Sequence, residues 1–109
     1  MADMTVAEAK EPFEMPPEAL KLRRDLPREA QLGLLAIEAE FIRASRKFGS
    51  FASAHEGYAV LKEEVDELWD EVKAGGNANR LRSEAIQVGA MALRFLFDVC
   101  PMLPEVSDE

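Results

Sequence analysis

Apolar residues recur at helical spacing over three long segments of the chain. The first segment spans residues 27–48 and is apolar on two faces. One face holds Leu32, Leu35, Ala39 and Ile42, and the other holds Ala30, Leu34, Ile37, Phe41, Ala44 and Phe48. The exposed strip holds Glu29, Glu40, Arg43 and Lys47, with Glu40 and Lys47 placed for ion pairs. Pro27 suits a first helical turn and Gly49 suits a stop, so the pattern predicts one long helix.

The second segment begins after Ser53 and is predicted to be a helix with one apolar face. Ser53 is followed three residues later by Glu56, which is the spacing of a capping box. The apolar face holds Leu61, Val65, Leu68, Trp69 and Val72. Gly75 and Gly76 predict the end of the helix, because glycine readily takes the left-handed conformation found there.

The third segment is apolar over most of its circumference. Asn79 is the predicted N-cap, and Pro101 predicts a stop near Cys100. Its one polar stripe holds Ser83, Glu84, Gln87, Arg94 and Asp98. A helix of this kind is expected to be buried on two sides.

These segments predict a single all-α domain spanning residues 18–100. A helical hairpin would follow one long N-terminal helix, with a short helix near residues 18–25 before it. Residues 1–17 read as a flexible arm and residues 101–109 as a tail. Two helices with two apolar faces each exceed what a three-helix monomer can cover. We therefore expect a helical bundle completed by homo-oligomerisation, with a dimer as its smallest unit.

Charge and cysteine content limit the kinds of partner and the cellular location to be expected. The formal net charge is −8, and residues 56–71 hold seven acidic residues against one lysine. This balance argues against nucleic acid or an anionic membrane as the main partner. Cys100 is the only cysteine, so an internal disulfide is excluded. With neither a targeting leader nor an apolar run long enough to span a bilayer, a cytoplasmic location is the expectation.

Carboxylates at the edge of the second helix carry the main candidate chemistry. Glu64 and Glu67 lie one turn apart, where like charges repel unless a cation lies between them. They are either part of a solvated acidic face or ligands of a divalent cation, because hard cations prefer carboxylate oxygens. Glu84 and Gln87 repeat the same spacing on the third helix, where half-buried polar groups need partners.

The arrangement Glu63-Glu64-x-x-Glu67, followed by Glu84-x-x-Gln87, resembles the MazG-like, all-α nucleoside triphosphate pyrophosphohydrolases. Their pattern is Glu-Glu-x-x-Glu, followed on the next helix by Glu-x-x-Asp. Three of the four ligand positions match, and Gln87 stands where the family has Asp. An amide oxygen can contact Mg²⁺ but carries no charge. The resemblance covers under half of the chain.

The resemblance implies a site and a reaction. Glu64, Glu67 and Glu84 would hold Mg²⁺, with Mn²⁺ as a possible substitute, and Gln87 would be a neutral ligand or contact metal-bound water. Glu63 would accept the proton of an attacking water. The reaction would convert a nucleoside triphosphate to a monophosphate and pyrophosphate within a multi-subunit helical bundle.

Other interpretations of the same residues stay open. The chain is alternatively a MazG-like scaffold that binds nucleotide or protein partners without hydrolysis, or a plain helical oligomerisation module. Arg94 either pairs with Asp98 one turn away or contacts a phosphate of the substrate. His55, the only histidine, is expected to make a surface or capping contact.

Overall fold

The computed structural model describes residues 14–100, and all regular structure in that range is helical. The helices are α1 (Pro17–Arg24), α2 (Arg28–Phe48), α3 (Ala54–Lys73) and α4 (Ala78–Val99). The all-α prediction is confirmed for this range. The predicted tail, and the predicted arm up to residue 13, lie outside the described residues. None of the four helices has the long apolar stretch that crossing a bilayer requires.

The ends of α3 are where the sequence predicted them. The Ser53 hydroxyl accepts a hydrogen bond from the Glu56 backbone N–H at 3.1 Å. The Glu56 carboxylate in turn accepts from the backbone N–H of Ala52 at 3.1 Å, one residue before the position expected in a capping box. After α3, Gly75 has φ = 69°, a left-handed conformation that favours glycine.

The predicted N-cap of α4 is wrong by two residues. Asn77, not Asn79, caps the helix, because its side-chain oxygen accepts from the Arg80 backbone N–H at 2.9 Å. Asn79 lies within the first turn, where its side chain accepts from Arg82 at 2.8 Å. The start of α2 also differs slightly, since Pro27 is its N-cap and not its first helical residue.

α4 packs against both α3 and α2. α3 runs antiparallel to α4, because its first turn meets the C-terminal half of α4 and its later turns meet the N-terminal half. A Cβ atom added at Gly57, for example, would lie 2.7 Å from the ring of Phe95. Glu67, ten residues later, lies beside Glu84. The antiparallel packing therefore brings the C-terminal half of α3 beside the N-terminal half of α4.

α2 runs parallel to α4. Ile37 packs against Gly89, where an added Cβ would lie 2.8 Å from the isoleucine side chain. Further along both helices, the rings of Phe41 and Phe97 meet edge to face with centroids 5.8 Å apart. The connection between α2 and α3 then contacts the last turns of α4. α2 and α4 are therefore neighbours in space, although the whole of α3 separates them in the sequence.

The buried core of the described chain is small. It contains Ala44, Phe51, Ala90 and Met91. Many large apolar side chains are at least two-fifths exposed, including Leu32, Leu34, Leu35, Ile42, Tyr58, Val65, Trp69, Val72, Leu96 and Phe97. The excess of apolar surface expected from the sequence is therefore present in the isolated chain.

Candidate metal centre

Three of the four predicted ligands meet in one cluster. Glu64 and Glu67 lie on α3 and Glu84 lies on α4, and one carboxylate oxygen from each lies within 4.8 Å of the others. The i, i+3 spacing puts the first two on one side of α3. The antiparallel packing of α3 and α4 brings the third against them.

The cluster is electrostatically unfavourable for three ionised carboxylates. Burial first, and then the charge of Glu67 and a hydrogen bond with it, raise the pKa of Glu64 to about 7. The charges of Glu84 and Glu63 raise this pKa further. Within residues 14–100, the ion pairs of α3 involve Asp66 and Asp70 and not the cluster. Glu64 is therefore much easier to protonate than an ordinary glutamate.

Glu84, on α4, is also in surroundings that disfavour its ionised form. Burial, followed by the charge of Glu67 and a hydrogen bond with it, raises the pKa of Glu84. Its Oε2 atom is buried and has no hydrogen-bond partner among the described residues. A buried carboxylate oxygen without a donor is costly, and a bound cation would satisfy it.

The separation of the oxygens fits a small divalent cation after a slight closure. Two ligands on opposite sides of Mg²⁺ lie about 4.2 Å apart, twice the metal–oxygen distance of about 2.1 Å. The observed limit of 4.8 Å is only slightly wider. Rotation of the glutamate side chains would have to bring the oxygens closer together, and the donor set is of the kind that Mg²⁺ prefers.

Glu71 is a neighbour of the cluster that the sequence analysis did not assign to the site. Its Oε2 atom is buried without a partner, and its charge contributes to the raised pKa of Glu84. The carboxylate lies against Gly76, where an added Cβ would collide with it. The signal was available, because Glu71 follows Glu67 by one helical turn on the same flank of α3.

Gln87 follows Glu84 by one turn on α4 and is half-buried. Its side chain is one of the groups that lower the pKa of the Glu40 carboxylate on α2. The Arg43 guanidinium donates to the same carboxylate, with its Nε 2.7 Å from Oε1. Hydrogen bonding from Arg43 first, and a smaller effect from Gln87, lower the pKa of Glu40 against the opposing effect of burial.

The predicted exposed position of Glu40 is wrong. Its side chain is only 13% exposed, because the parallel packing of α2 on α4 places it at the contact between the two helices. It pairs with Arg43 and not with Lys47, whose ammonium lies over the ring of Phe48. Periodicity alone could not reveal this, since it does not show which helix faces which.

Glu63 is exposed and adjoins the cluster through Glu64, whose pKa it helps to raise. Its carboxylate is therefore accessible to solvent. His55 is exposed in the first turn of α3, and Cys100 is a half-buried free thiol at the end of α4.

Arg94 is placed differently from the expected polar stripe. It is 3% exposed, and its Nη2 donates to the Gly49 carbonyl at 2.6 Å. Its guanidinium lies 4.2 Å from the centre of the Phe51 ring. Asp98 accepts from the Phe51 backbone N–H at 2.9 Å, and the predicted pair between Arg94 and Asp98 does not form. These contacts favour a structural role for Arg94 over the predicted phosphate contact.

Comparisons of the chain with protein-family models, curated proteins and solved structures found no match.

Proposed function

We propose that this protein is a metal-dependent nucleoside triphosphate pyrophosphohydrolase of the MazG-like kind. One observation carries the proposal. The oxygens of Glu64, Glu67 and Glu84 converge from two helices although their charges repel, with a buried oxygen of Glu84 left without a donor. An assembly of this kind gains most when a divalent cation binds, since the cation removes the repulsion and supplies the missing partner.

The order of the acidic residues supports the choice of reaction. Glu63-Glu64-x-x-Glu67 and Glu84-x-x-Gln87 keep the spacing that resembles the MazG-like pattern. The side chains of Glu64, Glu67 and Glu84 lie on adjoining faces of α3 and α4. When bound, Mg²⁺ or Mn²⁺ would neutralise the triphosphate and lower the pKa of a water molecule. The predicted helical hairpin corresponds in this proposal to the α3–α4 pair.

The protein's own residues would divide the work between binding and proton transfer. Glu64, Glu67 and Glu84 would hold the metal, and the neutral Gln87 would complete the set. Water would form a new bond to the α-phosphorus while the bond from that phosphorus to the bridging oxygen breaks. Pyrophosphate leaves with that oxygen, and Glu63 accepts the proton of the water.

The first experiment measures pyrophosphate release from a panel of canonical and damaged nucleoside triphosphates, with Mg²⁺ and then Mn²⁺. We expect metal-dependent release that Glu67→Ala abolishes. Asp66→Ala is the matched control, because Asp66 is exposed beside Glu67 and pairs with Lys62 outside the cluster. No release from any substrate by the folded protein would contradict the enzyme proposal.

Gln87 favours a second candidate function, a MazG-like scaffold that binds nucleotide or protein partners without turnover. A neutral amide at this position gives the site one negative charge fewer than the resembled pattern. Gln87→Asp distinguishes the two functions. If the site is only attenuated, this substitution should raise metal affinity and turnover, whereas a scaffold should gain no turnover.

We further propose that the exposed apolar side chains are covered by other copies of the chain, as a dimer or tetramer. Val65, Trp69 and Val72 form one stripe on α3, and each is 44–55% exposed. Trp69→Lys should shift the mass measured by light scattering toward the monomer, while circular dichroism stays helical. An unchanged mass would move the interface elsewhere. A stable oligomer without saturable Mn²⁺ binding would identify a plain oligomerisation module.

A further inference from the structure

Among the described residues, α1 packs on no other helix. None of its Cα atoms lies within 8 Å of a Cα atom of α2, α3 or α4. A helix of eight residues is too short to be stable alone in water, because most helical stability in proteins comes from packing. α1 therefore needs a packing partner that a single copy of residues 14–100 does not supply.

An open groove separates α1 from α2. It encloses about 740 Å³, and Leu20 of α1 lines it together with Leu34 and Leu35 of α2. These three leucines are 46–59% exposed. Pro17 and Arg24, the first and last residues of α1, both line the groove. The groove is therefore as long as α1 itself, and its apolar walls suit a second short helix laid along it.

α1 is apolar on two opposite sides. Leu20 and Leu22 are two positions apart, which places them roughly 200° apart around a helix. Leu22 is 68% exposed. Another segment of the same chain lying in the groove would cover Leu20 and leave Leu22 in solvent. A second copy can cover both, because in a two-fold interface the α1 of each copy enters the groove of the other.

The two ends of the groove carry charges of opposite sign. Arg23 and Arg24 lie near the connection between α1 and α2, and Glu38 lies at the far end of the α2 wall. None of the three forms an ion pair within residues 14–100. An α1 from a second copy that runs antiparallel to the first brings its two arginines to Glu38. A parallel copy would instead place arginines beside arginines, so the charges favour the antiparallel arrangement.

We infer that the groove between α1 and α2 is a dimerisation surface, in which the α1 helices of two copies exchange places antiparallel to each other. Leu22 of each copy would pack on Leu34 and Leu35 of the other. The inference rests on the proposal that other copies cover the exposed apolar side chains, and it names one surface and its occupant. It needs neither the proposed metal centre nor the proposed reaction.

Charge reversal tests the pairing, with the mass measured by light scattering at low salt, where charges are least screened. Glu38→Arg and the variant Arg23→Glu/Arg24→Glu each bring like charges together in a dimer of identical copies. We expect each variant to weaken self-association at least about 10-fold, seen as a lower mass at the same protein concentration. Glu29→Arg is the matched control, because Glu29 is exposed on α2 and does not line this groove.

A mixture of the two variants is the decisive sample. One copy of each pairs opposite charges at both ends of the interface, so we expect the mixture to recover the wild-type mass. An unchanged mass in both separate variants would overturn the inference, and is the result expected if another segment of the same chain fills the groove. A mass that falls in both variants but does not recover in the mixture would also overturn it, because the charges would then pair within one copy.

Two comparisons distinguish this inference from the proposed function. If Trp69→Lys lowers the mass and the groove variants do not, the groove inference fails while the proposed covering by other copies stands. If the wild type is a monomer, both fail. Recovery of the mass in the mixture supports the inference whether or not the protein releases pyrophosphate.

A measurement on the wild type covers the case in which a variant does not fold. Amide hydrogens of α1 should be protected from exchange where the protein associates, and should lose this protection after dilution to the monomer. Those of α4 should stay protected, because α4 packs on α2 and α3 within one copy. Equal protection of α1 in the monomer and in the associated protein would contradict the inference.

Discussion

Charged groups at the two ends of α4 have opposite surroundings. Near its C-terminus, Arg94 donates to the carbonyl of Gly49, and Asp98 accepts from the backbone of Phe51. Near its N-terminus, Glu84 lies against other carboxylates and leaves one oxygen without a donor. Both ends belong to what the sequence presents as a single polar stripe.

The difference separates charged residues that stabilise the fold from charged residues that the fold leaves uncompensated. Polar groups at the C-terminal end stabilise the connection between α2 and α3, since each contact crosses from one element to another. Converging carboxylates at the N-terminal end destabilise the protein when no cation is bound. Such uncompensated groups are common at functional sites, where the ligand supplies what the fold lacks.

The largest expected effect is the loss of metal binding on Glu67→Gln. This substitution removes the central charge of the cluster, and we expect Mn²⁺ affinity to fall about 100-fold or more. Without metal, the same variant should unfold at a slightly higher temperature than wild type, because repulsion of Glu64 and Glu84 is relieved. Lower stability of the metal-free variant would show that Glu67 acts mainly as a structural residue.

The opposite outcome is expected at the C-terminal end of α4, for Gly57→Ala. The added methyl group would lie 2.7 Å from Phe95 and 3.0 Å from Phe51, so both rings must shift. We expect a loss of about 1–3 kcal/mol in the free energy of unfolding by urea. An unchanged free energy of unfolding in Gly57→Ala would contradict this prediction.

Gly33→Ala is the matched control for that prediction. No atom lies within 4 Å of a Cβ added at Gly33, which is inside α2. The same substitution should therefore stabilise the protein by about 0.5–1 kcal/mol through helix propensity. Opposite signs at the two glycines would confirm that packing around residues 51–57 decides the effect.

A smaller effect is expected from pH. Burial and neighbouring carboxylates raise the pKa of Glu64 to about 7, above its unfolded value near 4.5. Between these values the folded protein binds more protons than the unfolded chain, so the free energy of unfolding falls as pH rises. We expect a loss on the order of 1 kcal/mol from pH 5 to pH 8 without metal, allowing for solvent screening. Glu64→Gln should make the free energy of unfolding depend less on pH. An equally steep pH dependence in this variant would show that another group causes it.

The smallest effect is expected on the far flank of α3. Lys62 and Asp66 form an exposed pair at 2.8 Å, one turn apart. Lys62→Ala should change the free energy of unfolding by no more than about 0.5 kcal/mol, because solvent screens such pairs. Mn²⁺ affinity should not change. A larger loss would show that the pair is shielded from solvent, as it would be under another copy of the chain.

Much of the local structure followed from the sequence. Helix spacing predicted the three long helices, and Ser53 and the glycines predicted their ends, since these are effects of neighbouring residues. The meeting of Glu64, Glu67 and Glu84 also followed, because a short connection between helices forces antiparallel contact. The prediction that Asn79 caps α4 was wrong, because asparagine is a good cap residue at either position and Asn77 is the one that accepts from the first turn.

What the sequence could not reveal depended on how α2 approaches α4. Glu40 and Arg94 both carry charges that periodicity assigns to an exposed strip. Only the packing of α2 and its following connection on α4 leaves Glu40 mostly buried and brings Arg94 into a hydrogen bond with the Gly49 carbonyl. Such contacts join residues more than forty positions apart, which no local pattern records.

The order of the helices also has a consequence for how the chain folds. α3 and α4 are separated by a four-residue connection, so their pairing closes a very short loop. The pairing of α2 with α4 must span the whole of α3, and long-range contacts of this kind form more slowly. We expect the α3–α4 pair to form first and α2 to dock last. By the same reasoning, amide hydrogens of α2 should exchange before those of α4 under native conditions.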